Sequence, residues 1–247
     1  MKFIFSYKLF LIIISFSITS VHADELTCYS SVYAPYSFVD KGKPTGIDID
    51  LISEIAKKID INISFKIIPW SRLNQLVLAG EINCAAAFLK SSEYTKNMFY
   101  MKNPITIGDY TLFTEKNEQN QLENLSDFYG STIAVNRGFN IPLALQQAIS
   151  EGLIKKYEVG KVEQSLQMLS SSRVTGVLAD KHVGLFNINK LKITNVTSIS
   201  KPLVTTPVYL VFSKKLKESG IVDKFEIALE QMKLDGTYQK ILDNYLL

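Results

Sequence analysis

From Leu26 onward, strand-like runs alternate with helix-like runs, and this alternation constrains the fold more than any other feature. Leu26–Tyr29 (LTCY) and Ile61–Ile68 (INISFKII) are rich in β-branched and aromatic residues and read as strands. Between them, Asp48–Ile59 carries Ile52, Ile55, Ala56 and Ile59 at three- and four-residue spacing, the stripe of an amphipathic helix. Ser71 is placed to cap a second helix with Leu73, Leu76 and Val77 on one face, and Gly80 to end it. Ile82–Phe88 is the next strand. This order predicts parallel strands joined by crossover helices.

The pattern then repeats. Ser131–Val135 reads as a strand, Pro142–Ser150 as a helix and Lys155–Val159 as a strand. Val162, Leu166 and Leu169 mark another helix, Val174–Leu178 a strand and Lys181–Asn187 a helix. Val208–Phe212 returns as a strand, and helices fill Ile221–Leu247 with a break near Asp235-Gly236. The fold class is therefore α/β, in two units, each a mainly parallel sheet flanked by helices. Tyr110–Glu115 and Lys201–Pro207 are the segments suited to carry the chain between them. A ligand site in such a fold lies beyond the carboxyl ends of the strands, here in the cleft between two lobes.

Residues 1–23 read as an export signal. Lys2 and Lys8 give a basic start, Leu9–Phe16 an apolar run, and Val21-His22-Ala23 small residues for cleavage after Ala23. The expected mature chain starts at Asp24. The whole chain has 27 Lys+Arg against 24 Asp+Glu, a net charge of +3. Removing Lys2 and Lys8 leaves +1, too little to recommend a nucleic-acid partner. At 47% hydrophobic and 21% charged the chain is not a disordered one. No later run approaches the roughly 18 apolar residues of a membrane span, so the mature chain is expected outside the bilayer. His182 stands alone once His22 leaves with the signal, and no nucleophile elbow, P-loop or zincin motif is present. No cofactor or metal is expected.

Four further motifs carry a family resemblance. They are Tyr33-Ala34-Pro35-Tyr36, Gly46-Ile47-Asp48-Ile49-Asp50-Leu51, Ala79-Gly80-Glu81-Ile82-Asn83 and Asp235-Gly236-Thr237-Tyr238. In this order and spacing the sequence resembles the extracellular solute-binding proteins of family 3, best known as amino-acid receptors of ABC importers. The resemblance covers essentially the whole mature chain. It implies a two-lobed periplasmic-binding-protein fold with two hinge crossovers, 24–112 and 206–247 forming one lobe and 113–205 the other. It also implies a periplasmic monomer that closes on a small molecule and meets an ABC permease or a membrane sensor. Within the second motif Gly46 permits a tight turn into the helix and Asp48 suits its cap, so neither is placed in the site.

The resemblance also implies ligand contacts. Tyr33 follows the first strand, where the family stacks a ring on the ligand, and Trp70 follows the second, where it often has another. Asp180 matches the second-lobe acid that accepts from an α-amino group, although it also suits a helix cap. Tyr36 reads as structural. In Asn136-Arg137-Gly138-Phe139-Asn140 the family's glycine is kept, while Phe139 and Asn140 replace its hydroxyl residues. Arg137 and Asn140 remain candidates for an anion there. The first lobe departs further. The family's carboxylate-binding Arg is missing from Lys90-Ser91-Ser92-Glu93-Tyr94-Thr95-Lys96, and Ala87-Phe88 replaces small hydroxyl residues. Phe88 and Lys90 are the candidates in that stretch, with Arg72 a substitute cation; a lysine cannot make the planar two-bond fork. Cys28 and Cys84 fall on strands the family places side by side. Neighbouring parallel strands seldom offer disulfide geometry, so two buried thiols are the expectation, with a bond as the alternative.

The leading expectation is a periplasmic binding protein for a small polar or zwitterionic molecule, not an enzyme. A ligand-sensing module for a separate membrane partner is the alternative. A dehydratase-like enzyme on the same scaffold is a lesser one, which would ask Asp180 or Glu93 to act as acid.

Overall fold

The computed structural model describes residues 25–116, 122–138 and 141–246. The signal segment and Asn140 lie outside them. The chain opens with β1 (Leu26–Ser30), a hairpin of β2 (Phe38–Asp40) and β3 (Lys43–Thr45), and α1 (Ile47–Lys58). Next come β4 (Ile63–Ile67), α2 (Trp70–Ala79), β5 (Cys84–Phe88), β6 (Met98–Tyr100) and the long β7 (Thr106–Glu115). There follow β8 (Thr132–Asn136), α3 (Leu143–Ser150), β9 (Lys155–Val159), α4 (Val162–Ser170), β10 (Gly176–Asp180) and α5 (Lys181–Leu191). The chain ends with β11 (Val196–Ser198), the long β12 (Val204–Ser213), α6 (Ile221–Leu234) and α7 (Thr237–Leu246).

The same motif occurs twice. β1 lies between β4 and β5 with all three parallel. β8 lies between β9 and β10, again parallel. β7 and β12 pair antiparallel over 106–110 and 204–208. Past that shared ribbon, β7 continues against β10 and β11, and β12 against β5 and β6. The two long strands are thus the crossovers, and the fold is the two-lobed α/β arrangement of periplasmic binding proteins.

Helix ends follow local chemistry. Gly80 closes α2 in the left-handed conformation at φ 67°. Gly46 precedes α1 at φ 126°, and a side chain on it would strike the Tyr36 carbonyl. Gly46, not Asp48, holds the cap position of α1. Asp48 sits two residues further in, inside the first turn, and is buried. Ser71 likewise falls inside the first turn of α2, because Pro69, with φ fixed near −56°, provides the entry. The stripe of α1 is buried as its spacing requires: Ile52, Ile55 and Ala56 are covered, and the helix packs on α6 and α7.

The expectation of free thiols is overturned. Cys28 and Cys84 are direct register partners on β1 and β5, with Cα atoms 4.5 Å apart, and they form a disulfide. Being opposite one another rather than offset along the ladder brings the sulfurs together. The strands β2, β3, β6 and β11 were not foreseen, because each has only three residues, too few to show a period.

Candidate functional site at the junction of the lobes

The loop after β1 brings two tyrosines to the junction. Tyr36 N–H donates to the Tyr33 carbonyl at 2.9 Å, and the two rings stack with centroids 5.8 Å apart and 13° between planes. The Tyr36 hydroxyl, on the first-lobe side, then reaches the end of β10. It donates to Asp180 Oδ1 at 3.2 Å and approaches Oδ2 at 3.4 Å. It also lies 3.0 Å from His182 Nδ1. Phe38 meets Phe186 at 5.6 Å between centroids, so the same loop and hairpin cover one face of α5 at two points, four residues apart.

Asp180 is 1% exposed and caps α5. Its Oδ1 accepts from the His182 and Val183 amides at 3.0 and 3.1 Å. Oδ2 accepts from the Asp109 amide on β7 at 3.1 Å. Burial pushes the carboxyl up to about 6, although all these donors pull the other way. Asp48 stands behind the junction, equally buried. Its Oδ1 accepts from Thr106 Oγ1 at 3.3 Å, at the start of the crossover strand, and Oδ2 has no hydrogen-bond partner among the described residues. Burial pushes it up to about 7, and the charge of Asp180 adds to that. Burial likewise raises Tyr33, Tyr36 and Tyr110 and lowers His182. Among the described residues neither acid has a Lys or Arg within ion-pair distance.

The other candidates fall in separate places. Trp70 opens α2 and is 46% exposed, with its ring 5.1 Å from that of Phe88. Phe88 is fully buried, edge-on to Tyr94, and forms core beneath the indole rather than surface. Lys90 places its Nζ 4.3 Å from the centroid of Tyr209 on β12. Tyr100 holds that loop: its hydroxyl donates to Leu89 O at 2.8 Å and accepts from Ser91 N–H at 3.1 Å. Arg72 and Arg137 are exposed, and Asn140 is outside the described residues. Tyr33 and Asp180 are therefore joined through Tyr36, and Trp70 rests on Phe88, while Lys90, Arg72 and Arg137 belong to neither group. Tyr36, His182 and Asp109 were missed as junction residues. The spacing of His182 two residues after Asp180 was visible, but nothing in the sequence shows that Tyr36 lies between them.

The fold and the paired lobes define a class, the two-lobed solute-binding proteins. The model of the bacterial extracellular solute-binding proteins, family 3, matches residues 26–247, and the chain belongs to that family. It is 26% identical over 212 residues to the L-cystine-binding protein TcyA of Bacillus subtilis (strain 168), covering 85% of this chain and 76% of that one. A solved substrate-binding protein of an amino acid ABC transporter shares the fold at TM-score 0.67 and 18% identity, covering 90% of this chain and 98% of that one. A histidine kinase sensor domain with similarity to periplasmic binding proteins also shares it, at TM-score 0.72 and 17% identity, covering 90% and 96%. No helix among the described residues is long and apolar enough to cross a membrane.

Proposed function

We propose that this chain is a periplasmic receptor that captures a small amino-acid-like solute between its lobes and delivers it to an ABC importer. The observation that carries this reading is the link of Tyr33 and Asp180, one from each lobe, through Tyr36 at the carboxyl ends of β1 and β10. A solute touching both would favour the closed arrangement, since only that arrangement offers both contacts. The ligand set is Tyr33 and Trp70 as aromatic walls and Asp180 as acceptor for an ammonium. Lys90, Arg72, Arg137 and Asn140 supply polar contacts, and Phe88 supports the Trp70 ring from beneath. The division into 24–112 with 206–247 and 113–205 belongs to the same proposal. Pairing of 106–110 with 204–208 supports putting the hinge in these strands. Export to the periplasm with cleavage after Ala23, as a monomer without cofactor, is part of the same proposal. Binding without turnover is the reading that family membership supports.

The kinase-sensor likeness in fold supports one second reading, a soluble sensor for a separate membrane partner. A thermal-shift screen of amino acids and related metabolites tests solute capture in either case. At a concentration 100-fold above Kd a true ligand adds about 2.7 kcal/mol to stability. A complete absence of shifts would sink both. A permease and ATPase that co-purify with the protein would decide for transport.

A further inference from the structure

Asp180 has little capacity left for a ligand. A carboxylate offers about four lone-pair directions. Oδ1 already receives the His182 and Val183 amides, and Oδ2 the Asp109 amide. These three donors are main-chain groups of α5 and β7, fixed for as long as those elements exist. A fourth donor is the Tyr36 hydroxyl, which comes from the other lobe and lies 3.2 Å from Oδ1 and 3.4 Å from Oδ2. It is also the one that can leave. A Tyr O–H is neutral and free to rotate, and 3.0 Å away His182 Nδ1, in the tautomer that carries the proton on Nε2, offers the same hydroxyl a second acceptor.

We propose that Tyr36 is a specificity-determining residue whose hydroxyl occupies the ammonium position on Asp180 and is displaced only by a charged donor. This rests on the reading of Asp180 as the ammonium acceptor. An ammonium makes a charge-assisted bond roughly twice as strong as the neutral one it replaces. An amide or hydroxyl of a competing solute gains nothing by the same exchange. The displaced hydroxyl turns to His182 and is not left unpaired, which keeps the exchange from costing a buried hydrogen bond. Stacking on Tyr33 holds the Tyr36 ring in place while its hydroxyl changes partner. Tyr36 therefore sets a threshold that tempers the preference for an ammonium over a solute that leaves Asp180 untouched, and His182 makes that threshold passable.

The test is isothermal titration of the mature protein with the standard L-amino acids and L-cystine. Each solute that binds is paired with its deaminated carboxylic acid. In Tyr36→Phe the ratio of amino-acid affinity to deaminated-acid affinity should rise about tenfold, the gain from removing one competitor for a charged hydrogen bond. In His182→Ala the ratio should fall. A well-folded Tyr36→Phe protein with an unchanged or lower ratio overturns the proposal. If Tyr36→Phe does not fold, an unmoved ratio in His182→Ala overturns it instead. Asp180→Asn separates this from the reading beneath it. If that variant binds amino acids as well as the parent, Asp180 is not the acceptor and both fall. If it loses them while the Tyr36→Phe ratio stays put, only the competitor role falls. Binding of no solute by any of the four proteins removes both.

Discussion

Cys28 and Cys84 face each other as register partners across the β1–β5 ladder, both fully buried, and their sulfurs are bonded. The bond closes a loop over a sequence separation of 56 residues. That loop contains α1, β4 and α2, as well as Tyr33, Tyr36 and Trp70. Closing a loop of that size restricts the unfolded chain and is worth about 4 kcal/mol by the chain-entropy relation.

Replacing both cysteines by alanine should lower stability by roughly 2–5 kcal/mol, read as a shift in denaturant midpoint. The bond itself is checked by mass. Alkylation under denaturing conditions should label the protein only after reductant is added, and equal masses with and without reductant would show two thiols instead.

Asp48 makes stability depend on pH. Its carboxyl is raised to about 7 by burial, from an ordinary value of 3.8. Between about pH 4 and 7 the folded chain holds a proton that the unfolded chain has released. The stabilisation is therefore complete at the acid end and lost as pH rises through 7. Asp180, raised to about 6, acts in the same direction. His182, lowered by burial, acts oppositely, because the unfolded chain takes up its proton first. The groups that bear on Asp48 are Thr106, Tyr36, Tyr238 and Asp180, none of them cationic. Asp48→Asn should remove roughly 2–4 kcal/mol of the decline in stability between pH 4 and pH 8. Denaturant unfolding of both proteins at several pH values measures this, and comparing them at equal pH cancels the contribution of His182. Parallel curves would contradict it.

The elements with a strong apolar period were legible, and so was their order. The stripe of α1, the parallel runs around β1 and β8, and the break between α6 and α7 at Asp235-Gly236 are all local patterns that a single face or turn demands. The short strands β2, β3, β6 and β11 were not, because three residues give no period and their pairing is set by a neighbouring chain segment. The site divides in the same way. Asp180 as the cap of α5 follows from its position before Lys181. Its bond to Tyr36, 144 residues away in sequence, depends on how two lobes meet. Asp48 shows how a local rule can mislead. An acid at a helix start suggests a cap, but Gly46 already provides the turn, and Asp48 is carried two residues further in, toward Thr106.

Gly184 lies inside α5, where a helix ordinarily favours alanine by about 1 kcal/mol. Here the Phe113 ring presses on the space a methyl group would take. Gly184→Ala should therefore destabilise the protein by about 1–3 kcal/mol despite the gain in helix propensity. Gly152→Ala is a useful contrast, since no atom lies within 4 Å of a methyl group there and only its φ of +73° opposes the change. Thermal unfolding of the two variants reads the difference. A stabilised Gly184→Ala would mean that α5 and β7 are not packed as described.

Trp70 offers a direct view of solute capture, because it is the single tryptophan of the chain. Trp70 is 46% exposed and its indole rests on the buried Phe88 ring, so one side is covered and the rest meets water. A solute held against the exposed part would dehydrate it. Emission should then move to shorter wavelength and acrylamide quenching should fall, in step with occupancy measured by titration. Trp70→Ala should weaken binding about tenfold or more, since a flat aromatic wall contributes both buried area and ring contact. Emission and quenching that stay constant at saturating solute would place Trp70 outside the cleft wall, leaving Tyr33 as the aromatic contact.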